Sequence, residues 1–193
     1  KVVLDPGTGS EMILARHCAE AGAKKVYAIE VDDAAYETAV KNLKKYHLED
    51  KISLIKGKVE EVALPDGIDC VVSALAGNIS SSDGCIPLVR QLKSRIGYPV
   101  DFLPGEYLTR LAAITLPEAH FRNGVSKVSA YYIGQVFDKY GYPFDLRLCL
   151  KHFDVDCILS EDKVCEHIVY GDDIPEEASV RISMRVLKAG TLT

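Results

Sequence analysis

The first ten residues constrain the fold of this chain more than any other segment. Val2-Val3-Leu4 is a short apolar run that stops in Asp5-Pro6-Gly7-Thr8-Gly9-Ser10. Such a run reads as a strand buried on both faces, followed by a glycine turn. Ser10 stands where a helix N-cap is expected. Residues 11–21 then carry Ile13, Leu14, Ala15 and Cys18 at helical spacing, and Gly22 closes the segment.

The unit repeats. Lys25 to Glu30 predicts a second strand. Asp33 to Tyr46 predicts a second helix, with Ala35, Ala39, Val40 and Leu43 as its apolar stripe and lysines opposite. Ile52 to Ile55 and Asp69 to Ser73 read as the third and fourth strands, and Cys85 to Ile96 as a third helix. This order predicts an α/β fold: a doubly wound, mostly parallel sheet with helices on both faces. Sheets of that kind bind ligands beyond the carboxyl ends of their strands, where Asp5, Glu30, the segment from Lys56 to Glu61 and Ser73 all fall.

The texture changes near Leu108. Leu108 to Leu116 predicts a long strand closed by Pro117, and Ser126 to Tyr140 a helix in which Tyr131-Tyr132 read as packing residues. Arg147 to Leu150 and Val180 to Val186 read as extended; in the latter Val180, Ile182, Met184 and Val186 alternate with polar residues, the period of a half-buried strand. A domain boundary is therefore expected near residue 118, separating 1–117 from 118–193. A strand starts at residue 2 with nothing before it, and residues 180–193 end in a strand-like pattern, so flanking elements are expected on both sides.

Composition narrows the function. No apolar run approaches the ~20 residues that span a bilayer. The first residues lack the apolar core of a signal peptide, so a cytoplasmic or nuclear location and no membrane partner are expected. The net charge of −5 argues against general nucleic-acid binding, which uses a basic face, and suits a basic protein substrate. The six cysteines show no close pairing of the kind zinc sites use, so reduced thiols and no metal are expected.

The chemistry gathers at the strand ends. Gly7 and Gly9 would let the backbone approach a ligand closely. The carboxylate of Asp5 beside them disfavours a phosphate and favours an ammonium. Glu30, 25 residues later, can accept hydrogen bonds from both ribose hydroxyls. A ribose, an ammonium and no phosphate describe S-adenosylmethionine, with S-adenosylhomocysteine as product. NAD shares the ribose acid and is the competing ligand.

The run Ala23-Lys24-Lys25-Val26-Tyr27-Ala28-Ile29-Glu30 resembles the protein arginine methyltransferase family around its ribose-binding glutamate. The run Ile55-Lys56-Gly57-Lys58-Val59-Glu60-Glu61-Val62-Ala63-Leu64-Pro65 is a still closer match. Folding alone gives charged residues no reason to fall in that order. The resemblance implies that Asp5, Gly7, Gly9, Glu30 and the adjoining Val31 line the donor pocket, that Glu60 accepts from the adenine amino group, and that Val59 lies by the ring. More loosely, residues 135–149 are similar to the dimerisation arm of that family and residues 174–186 to the first part of its substrate-binding β-barrel. A homodimer and a protein arginine acceptor follow as implications.

The likeness weakens where the family holds its substrate. Its catalytic hairpin carries two glutamates that pair with the planar guanidinium. In this chain Ser73 keeps the strand end and Gly77 the loop glycine, but Ala74 takes the first glutamate position and Asp83 the second. The implied catalytic residues are therefore Asp83 and Ser73. Alanine cannot balance a buried guanidinium, so a small-molecule or other protein nucleophile, or an inactive dimerisation or regulatory module, stands beside the arginine reading. The family's glycine after Gly9 is also altered, with Glu11 in its place.

Overall fold

The structure, a computed structural model, describes residues 1–74, 76–77, 79–82, 84–116, 127–142 and 154–192. Asp83 and the segment 147–150 lie outside the described residues. The chain divides into two units, Lys1–Thr109 with Val164–Val180, and Arg110–Lys163 with Arg181–Thr193.

In the first unit β1 (Val2–Pro6) is the centre of a five-stranded sheet. It pairs in parallel with β2 (Lys25–Glu30) on one side and β4 (Cys70–Val72) on the other. Beyond them stand β3 (Ile52–Lys56), parallel to β2, and β5 (Asp101–Leu103), parallel to β4. The order is β3-β2-β1-β4-β5. The strand order reverses at β1, and there the connections turn to opposite faces of the sheet. In open sheets of this kind, ligands bind outside the carboxyl ends of the strands at such a reversal.

Two apolar layers hold the sheet. On one face α1 (Ile13–Glu20) and α2 (Asp33–Lys45) bury Ala15, Ala19 and Ala39 against Val3, Val26, Ala28 and Ile52. On the other, α3 (Cys85–Ile96) packs Val89 and Leu92 against Leu4, Ile29 and Val71. Small alanines on the first face let α1 and α2 sit close, while branched side chains fill the second. Each fully buried side chain of the size of Leu4 or Ile29 contributes about 1.5–3 kcal/mol.

The first helix starts later than expected. Ser10 is not its cap: Met12 takes that position with φ 47°, in the left-handed region. The Met12 side chain is fully buried. Burying it, worth about 1.5–3 kcal/mol, offsets the ~1–2 kcal/mol that left-handed backbone costs an L-residue. The Ser10 carbonyl instead accepts from Asn42 Nδ2 of α2 at 3.0 Å, and Glu11 Oε1 lies 3.2 Å from the same nitrogen. Gly22, with φ 91°, ends the helix as its sequence position suggests.

Past β4 the strand expected over Leu108 to Leu116 is shorter and begins earlier, and another strand, β5, precedes it. β5 passes unnoticed in the sequence because only Phe102 of its three residues is buried. β6 (Glu106–Leu111) stops well before residue 116 and pairs with β7 (Lys163–Val169), which the sequence did not announce. In the second unit, extended segments meet in antiparallel bridges, Ile114 with Ile158 and Ser160 with Val186. The run 180–186 forms no regular strand; its pairing is limited to Val186. Helix α4 (Lys127–Tyr140) follows the expected span, but Tyr131 and Tyr132 are each 62% exposed. No helix among the described residues is long and apolar enough to cross a membrane.

Candidate ligand site at the carboxyl ends of the strands

Asp5, Glu30 and the segment after β3 come together as their positions in the sequence suggest. Asp5 is 2% exposed. Its Oδ2 accepts from Thr8 Oγ1 at 2.6 Å and from the Ala15 backbone N–H of α1 at 3.2 Å. Burial pushes the carboxyl up to about 6, against the lowering effect of those two hydrogen bonds, and the nearby Glu30 charge adds to the rise. Asp5 therefore braces the glycine turn from within. Gly7 and Gly9 have φ of 77° and 70°, which L side chains rarely adopt. A Cβ at Gly9 would meet nothing within 4 Å, so open space lies against the backbone there.

Glu30 fastens the turn to the next strand. Its Oε2 accepts from Gly9 N–H at 2.8 Å and its Oε1 from Asp32 N–H at 2.8 Å. The backbone joins in: Gly7 and Thr8 N–H both donate to the Ile29 carbonyl at 2.9 Å. Asp32 in turn caps α2 by accepting from Ala35 N–H at 2.8 Å. Each oxygen of a carboxylate has two lone-pair sites, so each Glu30 oxygen keeps one for a further donor. Val31 next to it is 55% exposed, at the rim. Its carbonyl is held by Lys56 Nζ at 2.6 Å, and the same ammonium pairs with Asp33 at 2.8 Å.

The loop after β3 is anchored to this corner. Gly57 N–H donates to the Glu30 carbonyl at 2.9 Å. The chain then turns tightly, with Glu61 and Val62 N–H both returning to the Lys58 carbonyl. Val59 is partly buried against the core, whereas Glu60 is exposed. Glu11 is exposed and outside α1, engaged with Asn42 rather than starting the helix.

Ser73, just past β4, is 8% exposed. Its N–H donates to the Leu103 carbonyl at 3.0 Å and its carbonyl accepts from Tyr107 Oη at 3.3 Å. Ala74 beside it is exposed. The second catalytic candidate, Asp83, lies outside the described residues.

One carboxylate here has no counterpart in the sequence reading. Glu166 of β7 accepts at Oε2 from Ser81 N–H (3.0 Å) and from Thr109 Oγ1 (2.9 Å). Thr109 Oγ1 also accepts from Ser80 N–H at 2.9 Å, and with its proton on Glu166 it takes a second bond from Ser80 Oγ at 2.8 Å. Desolvation raises the Glu166 carboxyl, but the bonds from Ser81 and Thr109 outweigh it and hold the group below the usual range. The signal that could have found it is the β-branched run around Ile168-Val169; nothing local indicates which loop it would meet.

A cavity of about 480 Å³ flanked by Lys1, Cys18, Cys70 and Asp101 lies at the amino ends of the strands, away from these groups. A ligand reading Glu30 would sit at the opposite end of the sheet.

Residues 1–81 match the ribosomal protein L11 methyltransferase (PrmA) family. Over 120 residues the chain is 37% identical to the ribosomal protein arginine N-methyltransferase rmt3 of Schizosaccharomyces pombe, a stretch that covers 61% of this chain and 22% of that protein. The fold is similar to Arabidopsis thaliana protein arginine methyltransferase 10, with a TM-score of 0.67, 23% identity, and coverage of 93% of this chain and 55% of that one. It is also similar to the Trypanosoma brucei PRMT1 enzyme–prozyme heterotetrameric complex with AdoHcy, with a TM-score of 0.67, 22% identity, and coverage of 90% and 54%. The chain thus spans about a fifth of the length of that curated relative and about half of each of those structures.

Proposed function

We propose that this chain, a class I methyltransferase-like protein with the fold of the protein arginine methyltransferases, binds S-adenosylmethionine and transfers its methyl group to arginine in a protein. The observation that carries the donor half is Glu30. Its two oxygens are spaced and oriented by Gly9 and Asp32, and each keeps a lone pair, the arrangement that two adjacent ribose hydroxyls require. The residues present fit the group: the open space at Gly9 admits a ligand against the backbone, and an acid rather than a phosphate cradle lies behind the turn. NAD fits this turn less well for the same reason.

When bound, the donor supplies an electrophilic methyl on a sulfonium. The chain's own part is positioning. Glu30 would hold the ribose, Glu60 would accept from the adenine amino group with Val59 beside the ring, and Asp5, Gly7 and Gly9 would shape the amino-acid end. Val31 would form the rim. On the acceptor side Ser73 and Asp83 are the candidates, and alignment of the nucleophile with the sulfonium would do most of the catalytic work. The boundary expected near residue 118 would divide a donor domain (1–117) from the start of a substrate-binding and dimerisation domain (118–193), except that Val164–Val180 group with the first unit, and the chain would act in a homodimer in the cytoplasm or nucleus.

Titration calorimetry with S-adenosylhomocysteine tests the donor half: absence of heat on folded protein would remove it. Tritium transfer from labelled donor to arginine-rich proteins tests the acceptor half. Label on a small amine or another side chain would keep the enzyme and change the substrate.

A second reading rests on Ala74. It is exposed and has no carboxylate to offer a guanidinium. Donor binding with no transfer to any acceptor would make the chain a non-catalytic module that partners an active subunit. The enzyme–prozyme composition of the similar Trypanosoma brucei complex supports that form of the idea.

A further inference from the structure

We infer that Arg95 is a positioning residue for the donor site: from the last turn of α3, its guanidinium fixes the loop that would recognise adenine. The inference rests on the donor reading proposed above. Arg95 Nη1 donates to the Val59 carbonyl, and Nη2 to the Val62 carbonyl at 2.5 Å. These two carbonyls bracket Glu60 and Glu61. A planar fork bonded at both points sets two peptide planes of one short loop, which a single ammonium could not do.

The rest of the loop shows why such a clamp is needed. It is a tight turn closed on the Lys58 carbonyl, tied at its start by Gly57 to the Glu30 backbone. Gly57 has φ 143°, and a Cβ there would come within 2.6 Å of Val62 Cγ1, so the turn is folded tightly onto its own start. At its apex stand two adjacent exposed carboxylates, Glu60 and Glu61, whose mutual repulsion favours opening. Lys58 Nζ, at 3.1 Å from Glu61, answers one of them. The guanidinium adds a second cation, through the loop's backbone.

The alternative is that Arg95 only complements the carboxyl end of its helix, as basic residues commonly do. Lys93 of the same turn shows what a purely structural contact looks like. Its ammonium gathers the carbonyls of Tyr170, Gly171 and Asp172 at 3.2, 3.1 and 2.6 Å, far along the chain from any donor-site residue. Arg95 instead bonds Val59 and Val62, which flank Glu60 and Glu61 of the adenine loop.

The test compares the chain with its R95A and R95K variants. Calorimetry is run with S-adenosylhomocysteine and with S-inosylhomocysteine, which carries a carbonyl where adenine has its amino group. The parent should prefer the adenine compound through Glu60. R95A should lose about tenfold in affinity for it, roughly 1.4 kcal/mol, and much less for the inosine compound, so the preference collapses. R95K, with one bond retained, should fall between. Hydrogen exchange should show faster opening of residues 57–62 in R95A with α3 unchanged. Equal losses for both ligands, or unaltered protection of the loop, would overturn the inference. If R95A melts early, R95K carries the same comparison. A parent chain that binds neither ligand would remove the donor reading itself and with it the adenine role, whereas exchange would still report whether Arg95 holds the loop.

Discussion

At the scale of single residues, three carboxylate positions decide the chemistry. Glu30→Ala should weaken S-adenosylhomocysteine binding by about 1–3 kcal/mol, the worth of hydrogen bonds to a charged acceptor. Glu30→Gln, which keeps one oxygen for Gly9 or Asp32, should lose less, and calorimetry on both variants separates ribose contact from support of the turn. Asp5 gives a pH signature. Burial pushes its folded carboxyl up to about 6, against 3.8 for an ordinary aspartate. Between those values the folded state binds a proton that the unfolded state does not, so stability falls as pH rises through about 6 and is fully present below 3.8. Relative to Asp5→Asn, which does not titrate, the parent should gain about 2.4 kcal/mol on going from pH 7 to pH 4, most of the roughly 1.4 kcal/mol per pKa unit that the full shift supplies. Urea unfolding of both proteins across that range reads the difference, and parallel pH profiles would show that Asp5 is not the titrating group. The third position is Ala74. If the arginine reading is right, Ala74→Glu should raise methyl transfer to an arginine peptide while leaving the donor affinity unchanged, and a variant no more active than the parent would move the acceptor away from guanidinium.

At the scale of elements, what could be read in advance follows from how local each signal is. The spans of α2, α3 and β2 were legible because amphipathic stripes and apolar runs are written within the element itself. The start of α1 was not, since Ser10 looks like a better cap than Met12 until the buried methionine side chain is known. β7 was missed for a different reason: its partner β6 lies more than fifty residues earlier, and pairing at that distance leaves no mark in the local pattern. That miss concealed the clamp on the loop at Ser80 and Ser81, where Thr109 of β6 joins Glu166 of β7. The meeting of Asp5, Glu30 and the loop after β3 was legible because these residues sit at strand ends fixed by the α/β order; the contacts of Arg95 were not, because they depend on a helix end meeting a loop more than thirty residues earlier. The clamp makes a prediction at this scale. Thr109→Val keeps the shape but strips Ser80 N–H of its acceptor and Glu166 of a donor, a loss of about 1–3 kcal/mol. Methyl transfer should fall with the loosened loop, while donor affinity, set at the ends of β1 to β3, should hold. A drop in donor affinity of the same size would show that the two loops are not separable.

At the scale of the whole molecule, the unsolved surface is α4. Its Val128, Tyr131 and Tyr132 are 67%, 62% and 62% exposed. The two tyrosine rings meet edge to face at 5.5 Å, and Tyr131 Oη accepts from Gln135 Nε2 at 2.8 Å, so the aromatic pair is held in place on the outside of its helix. Large apolar groups gathered on one exposed helix are the usual mark of a surface that meets another chain. In the homodimer proposed above, a second copy of the chain would cover this face. Sedimentation equilibrium at micromolar concentration should therefore give twice the monomer mass. Tyr131→Lys combined with Tyr132→Lys should shift the chain toward monomer by placing like charges at the contact, with S-adenosylhomocysteine affinity preserved because no donor-site residue is altered. A monomeric parent, or a dimer indifferent to both lysines, would detach the arm-like sequence from any role in self-association.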